Sequence, residues 1–219
     1  MTGLIRKATL IVACGVLGAT SAMAGVPSSG NSTVPGRINL SGILVTPGRP
    51  DTMSSLTKIQ ITVRDLANNP INGSSVAIDF DNCNKSKVCD TQTYQGMTTS
   101  AGPNVRAFTN AAGVATLVVT GGNTASTSAT ADPNGCARVY ADGVLLGTIN
   151  IGAYDLNAGG GVNGTDLSLF AADLFAVPAN ASRSDYNNSG GVDGLDLSLF
   201  AAALFNPNGI SSCATAYWP

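Results

Sequence analysis

The sequence predicts a mainly-β protein: an antiparallel β-sandwich followed by a small α tail of two repeats. Three observations predict it. Short segments of alternating apolar and polar residues, divided by Gly- and Asn-rich turns, fill the middle of the chain. A segment near the C-terminus recurs with a period of 30 residues. With 26 Gly and 11% charged residues, the composition favours turn-rich β structure over long helices.

The chain opens with export signals. Arg6 and Lys7 precede an apolar stretch from Ala8 to Leu17, and Ala22-Met23-Ala24 forms an A-x-A cleavage site. Residues 1–24 therefore read as a signal peptide, with Gly25 as the mature N-terminus. The apolar run is too short to span a bilayer comfortably, and no later segment is apolar enough. The expected location is secreted or cell-surface, without membrane insertion. Cysteine usage agrees. Without Cys14, four remain (Cys83, Cys89, Cys136 and Cys213), which suggests two disulfides in one of three connectivities. The short Cys83–Cys89 spacing favours a local bridge, leaving Cys136 with Cys213. The four lack the spacing of a zinc site, and there is no His.

Residues 25–36, rich in Gly, Pro, Ser, Asn and Thr, read as a flexible leader. Residues 37–152 hold the strand signals. Arg37 to Val45 is the first. Lys58 to Asp65 alternates, with Ile59, Ile61 and Val63 on one face. The cluster Ala67 to Gly73 is a turn. Ser75 to Phe80 alternates with Val76, Ile78 and Phe80 inward. Val114 to Thr120, Ala137 to Ala141 and Val144 to Ile149 follow, with Asn134-Gly135 and Asp142-Gly143 as tight turns. About seven short strands at this spacing predict the sandwich.

On Ile61 to Asp65, the turn Asn69 to Gly73, Val76 to Ile78 and Thr109 to Leu117, this region resembles the bacterial Ig-like domains of invasins and related surface proteins. The likeness covers roughly 100 residues and implies a spacer or adhesive role. Disulfides are not a general feature of that family. A carbohydrate-binding module would need exposed rings; residues 37–154 have no Trp, three Tyr (Tyr94, Tyr140, Tyr154), and Phe80 and Phe108 that read as core.

The sharpest signal lies in residues 153–206. The segment from Asp155 to Phe170 aligns with that from Asp185 to Phe200. Calcium takes six to eight oxygens, which a twelve-residue loop supplies from positions 1, 3, 5, 7, 9 and 12. In the first loop these are Asp155, Asn157, Gly159, the Gly161 carbonyl, Asn163 and Asp166; in the second, Asp185, Asn187, Ser189, the Gly191 carbonyl, Asp193 and Asp196. Gly160 and Gly190 permit the turn at position 6. Position 12 is Asp where an EF-hand has Glu, and Gly159 offers no side-chain oxygen. Loop two has three carboxylates against two, so it is expected to bind Ca²⁺ more tightly of the two sites. From 155 to 219, six Asp face one base, Arg183, for a net charge of −5; residues 25–154 carry a net +1. Packed carboxylates repel unless a cation neutralises them.

A helix follows each loop, beginning at Asp166 and Asp196, with inner stripes Leu167, Phe170, Ala171, Leu174 and Leu197, Phe200, Ala201, Leu204. No helix signal precedes either loop. A loop and one helix, twice over, with Val162 and Val192 at position 8 and Leu-x-x-Phe helix starts, resembles the type I dockerins. That likeness implies docking to a cohesin-like or other extracellular protein through positions 10 and 11, here Gly164-Thr165 and Gly194-Leu195, and through the helices. These pairs depart from the hydroxyl pairs of cellulosomal dockerins. Leu169, Phe175, Leu199 and Phe205 fall off the inner stripe and join the candidate partner surface. Residues 207–219 form a C-terminal tail.

The expected function is a secreted, non-catalytic calcium-binding protein with a docking tail. Two alternatives stand beside it: an accessory protein of extracellular polysaccharide breakdown whose β domain binds carbohydrate, and a purely structural calcium clamp. There is no Glu and no His, so the commonest general bases are missing. Asp79 and Asp81 sit on one strand rather than across a cleft, as a glycosidase would need. Nothing points to nucleic acid.

Overall fold

The computed structural model describes residues 25–40, 58–88, 92–94, 97–99, 104–119, 121–123, 135–157, 161–175 and 183–205. The signal-peptide assignment, Cys89, Cys213, Gly159 and the C-terminal tail fall outside them.

Among the described residues the strands are β1 (Arg37–Leu40), β2 (Lys58–Thr62), β3 (Ser75–Asp79), β4 (Ser86–Val88), β5 (Gln92–Tyr94), β6 (Met97–Thr99), β7 (Asn104–Phe108), β8 (Val114–Val118), β9 (Gly121–Asn123), β10 (Ala137–Ala141) and β11 (Val144–Ala153). Two helices follow, α1 (Gly164–Leu174) and α2 (Gly194–Leu204). The chain is mainly β, with antiparallel sheets and two short helices. A five-stranded sheet runs β1-β11-β10-β3-β7. Its pairs are antiparallel except for the parallel β1–β11 edge. β2 and β8 form a second antiparallel sheet, and β4–β9 and β5–β6 are small additional pairs.

Alternation decides which faces meet. Ile59 and Ile61 of β2 and Ala115 and Leu117 of β8 are buried in one cluster with Val76, Ile78, Val105, Ala107, Val139 and Ile149 of the larger sheet. Period-2 patterning puts these side chains on the inner faces and their neighbours outside. Val63 and Phe80 are buried as the pattern predicts. The Asp142-Gly143 turn has positive φ at both residues, 47° and 84°. That is the twist a two-residue hairpin between right-twisted strands requires.

Several expectations are corrected. β11 runs four residues beyond Ile149, and the strands outnumber the seven expected. β7 carried no strong signal, because among its inward residues only Val105 is large; the other is Ala107. The supposed flexible leader is held in place. Ser28 N–H donates to the Arg64 carbonyl (2.8 Å), and Thr33 and Thr62 exchange two backbone hydrogen bonds (2.9 and 3.0 Å). Asn31 Nδ2 donates to the Asp65 carbonyl at 2.8 Å, and Val34 packs on the core. The segment's own composition has no periodicity; its order comes from pairing with a distant strand, so composition alone misread it.

The disulfide joins Cys83 to Cys136, with the Cα atoms 5.1 Å apart, and not Cys83 to Cys89. With Cys136 so occupied, a Cys136–Cys213 bridge is excluded as well. Sheet register explains the choice. β3 pairs with β10 so that Asp79 faces Arg138, which carries the chain after β3 past the residues just before β10. Both cysteines are buried in the main core. Phe108, expected in the core, is 64% exposed.

Candidate metal centre

A second, smaller hydrophobic cluster begins where β11 ends. It comprises Tyr154, Leu156, Val162, Phe170, Tyr186, Phe200 and Ala203. Phe170 and Phe200 stack with ring centroids 4.9 Å apart, and Tyr154 and Tyr186 lie 4.4 Å apart. Phe170 and Phe200 occupy matched positions of the two repeats, whereas Tyr154, just after β11, meets Tyr186 of the second loop. Tyr186 also donates its hydroxyl to the Ala153 carbonyl at 3.1 Å, tying the second loop to the end of β11.

Around this core the described parts of both loops turn backbone N–H groups onto their position-1 and position-12 carboxylates. In the first, Asp155 and Asp166 are fully buried. Asp155 Oδ2 accepts from Gly161 N–H (3.0 Å). Asp166 Oδ1 accepts from Leu156 N–H (2.7 Å) and Asn157 N–H (3.3 Å), and its Oδ2 accepts from Asn163 N–H (2.9 Å). In the second, Asp185 accepts from Ser189 N–H (2.9 Å) and Gly190 N–H (2.8 Å). Asp196 accepts from Asn187 N–H (3.1 Å) and Asp193 N–H (2.9 Å). Asn187 Oδ1 also accepts from Ser189 N–H (2.8 Å), and Ser189 Oγ donates to the Gly191 carbonyl (3.2 Å). Gly190, with φ of 96°, makes the reversal at position 6, in a region that disfavours a side chain. Each loop therefore folds its backbone around the carboxylates of positions 1 and 12.

Burial pushes Asp166 above the ordinary carboxylate pKa; the backbone N–H of Asn163 opposes this, and the nearby charge of Asp155 adds to it. Among the described residues no three His, Cys, Asp or Glu side chains gather into a single metal-holding group. A complete site would rest on two carboxylates per loop, with amide, hydroxyl and carbonyl oxygens making up the rest. That is an all-oxygen set, suited to a hard cation. The third carboxylate assigned to loop two, Asp193, is exposed and accepts instead from Leu195 N–H at 2.8 Å. Asn163 does the same in loop one with Thr165 N–H, also at 2.8 Å.

These two residues are helix N-caps, so the helices begin at Gly164 and Gly194, two residues before the positions the sequence suggested. Asp166 and Asp196 complete capping boxes at N3. That anchoring turns the helices. The buried face of α1 is Asp166, Phe170 and Asp173, and that of α2 is Asp196, Phe200 and Ala203. Leu167 and Leu197, placed on the inner stripe by periodicity, are 39% and 40% exposed. Leu169 and Leu199, placed off it, pack partly against the second cluster. Gly164, Thr165, Gly194 and Leu195 are exposed at the helix starts, as are Phe175 and Phe205 at the helix ends.

One functional group escaped sequence reasoning. Asp173 is buried and receives Arg183 in a two-pronged ion pair, Nε to Oδ2 at 2.6 Å and Nη2 to Oδ1 at 2.8 Å, with Ser184 Oγ on Oδ2 at 2.6 Å. Arg183 and Ser184 directly precede Asp185, so α1 grips the start of the second loop. The counterpart of Asp173 in α2 is the apolar Ala203. The signal was available: Arg183 is the single base in residues 155–219.

Comparison with known proteins found no matching family profile, no matching curated protein and no matching solved structure.

Proposed function

We propose that this is a secreted, non-catalytic calcium-binding protein whose C-terminal dockerin-like pair of repeats docks onto an extracellular protein, while an Ig-like β-sandwich serves as spacer or adhesive module. The observation that carries the reading is the burial, in both loops, of the carboxylates at positions 1 and 12, each wrapped by its own loop's backbone. Asp155 and Asp166 would hold one Ca²⁺ with Asn157 and the Gly161 carbonyl; Asp185 and Asp196 would hold the other with Asn187, Ser189 and the Gly191 carbonyl. The bound ion supplies the positive charge that offsets two buried carboxylates per loop. Loop two, where Ser189 supplies a position-5 side-chain oxygen that Gly159 lacks, is the tighter site, with affinities on the order of 10⁻⁴–10⁻³ M. A disulfide buried in the β core suits an exported protein. The exposed Phe175, Phe205 and Leu195 suit a cohesin-like or other protein partner.

The test is calcium titration followed by helical circular dichroism, then capture of envelope proteins with and without chelator. No spectral change up to several millimolar calcium would remove the metal reading. A second reading, a purely structural calcium clamp, is favoured by the Tyr186 hydroxyl on the Ala153 carbonyl, which ties loop two to β11. A chelator that melts the tail while no partner is ever captured would select it.

A further inference from the structure

The outer face of the five-stranded sheet carries a trough of about 310 Å³. Its floor is Ala77 on β3, the small residue at the centre of a row whose flanking members are long. Register places Arg106 of β7 on one side of Ala77 and Tyr140 of β10 on the other. Asp79 and Asn104, a facing pair one row along, close one end; Ser75 and Asp142 lie at the other. Ser75 faces Phe108, whose ring is 64% exposed, and Tyr140 is half-buried. β7 and β10 flank β3, so the two aromatic columns stand about 10 Å apart at ordinary strand spacing.

The half-buried Tyr140 in the lining and the exposed Phe108 just outside it, across β3, each offer flat apolar surface for the C–H face of a pyranose ring. Asp79 can accept from hydroxyls through Oδ2, its Oδ1 already taking the Asp81 N–H (3.0 Å), while Arg106 can donate to them and Asn104 can do both. The lining holds one cation and two carboxylates, Asp142 included, which disfavours a polyanion. The neighbouring Arg138 faces the Asn82 amide, whose oxygen, with the amide turned to satisfy both groups, accepts from its Nε (3.1 Å) and Nη2 (3.0 Å). Phe108 gives the β region an exposed ring of the kind that stacking on a sugar requires.

We infer that the trough over Ala77 is a binding site for a neutral saccharide chain, with Tyr140 and Phe108 as stacking surfaces and Asp79, Asn104 and Arg106 as hydroxyl partners. The site uses no residue of the calcium loops, and its failure would leave the calcium reading untouched.

The experiment titrates isotope-labelled residues 25–219, with calcium present, against cellohexaose, xylohexaose, mannohexaose and maltohexaose, each to about 20 mM, well above a weak millimolar affinity. The expected result is that at least one shifts the amides of β3, β7 and β10 around Ala77. Tyr140→Ala and Arg106→Ala should each weaken that binding about tenfold, the scale of one stacking or hydrogen-bonding contact. Leu66→Ala, at an exposed residue outside the trough's lining, should leave it unchanged. Thermal melts check that each variant is folded; Arg106 is exposed, so its variant keeps the test alive if Tyr140→Ala unfolds. Chelator should not alter the binding. The proposal is overturned if none of the four sugars moves those amides. It also fails if binding survives both variants, or if an oligogalacturonate binds more tightly than every neutral sugar.

Discussion

The two hydrophobic cores of this chain solve opposite problems. The β region buries aliphatic side chains from two sheets and is cross-linked by the buried Cys83–Cys136 disulfide. Among the described residues the tail has a core of seven buried apolar residues, and around it lie the buried carboxylates of Asp155, Asp166, Asp173, Asp185 and Asp196. Removing apolar surface from water stabilises the first without outside help. The second sets a small hydrophobic gain against the desolvation of five acidic groups, of which Asp173 has its ion pair with Arg183. The β region is therefore expected to fold by itself and the tail to depend on charge.

Opening the disulfide should give the largest effect. Closing a loop of 53 residues restricts the unfolded chain by about 4 kcal/mol in the chain-entropy estimate. Replacing Cys83 and Cys136 together by Ser should lower the denaturation midpoint of the β region by that order and leave calcium affinity alone. A parallel fall in both would mean that the regions are one cooperative unit.

Next in size is Asp173→Ala, which strands a buried guanidinium. Roughly 3 kcal/mol should be lost from the tail, near the low end for breaking a buried pair. Replacing Arg183 and Asp173 together by Met and Leu should recover most of the loss, as read from helical ellipticity during thermal melts. A double variant no better than the single one would mean that the contact matters for more than its charge.

Calcium removal should follow. At a tenfold to hundredfold excess over a weak site, a bound ion contributes about 1.4–2.7 kcal/mol. Chelator should therefore shift the tail's melting transition and not that of the β region. Asp196→Asn should abolish the tighter of two calorimetric binding steps, and Asp166→Asn the weaker one; the reverse order would invert the assignment of loops.

The smallest effect concerns Asp65, at the turn after β2. The Asn69 backbone N–H (2.8 Å) holds its carboxyl below the ordinary value against slight desolvation, helped by the Asn69 side chain and the Ala67 backbone. A carboxyl whose folded pKa is depressed stabilises fully above its unfolded value and loses that contribution as pH falls through the folded one. Asp65→Asn should thus cost slightly at neutral pH and nothing near pH 2. A difference between the two proteins that persists in acid would place the effect elsewhere.

What could be read from residues alone was local. Alternation identified β2, β3, β8 and β10 with their inward residues, because a strand's faces are set by its own pleat. The 30-residue period located both loops and the phenylalanines that stack between them, because duplicated sequence folds into duplicated structure. Only tertiary structure decided which distant parts meet. The disulfide partner of Cys83 depends on the β3–β10 register, and the order of residues 25–36 on a strand some 30 positions away. The helix faces were set by capping aspartates, which a scale that counts only apolar residues ranks as surface. Asp173 entered the interior because Arg183 arrived from outside its helix. Short-range pattern fixes what each segment prefers to bury, whereas pairing between segments depends on contacts whose strength no single segment encodes.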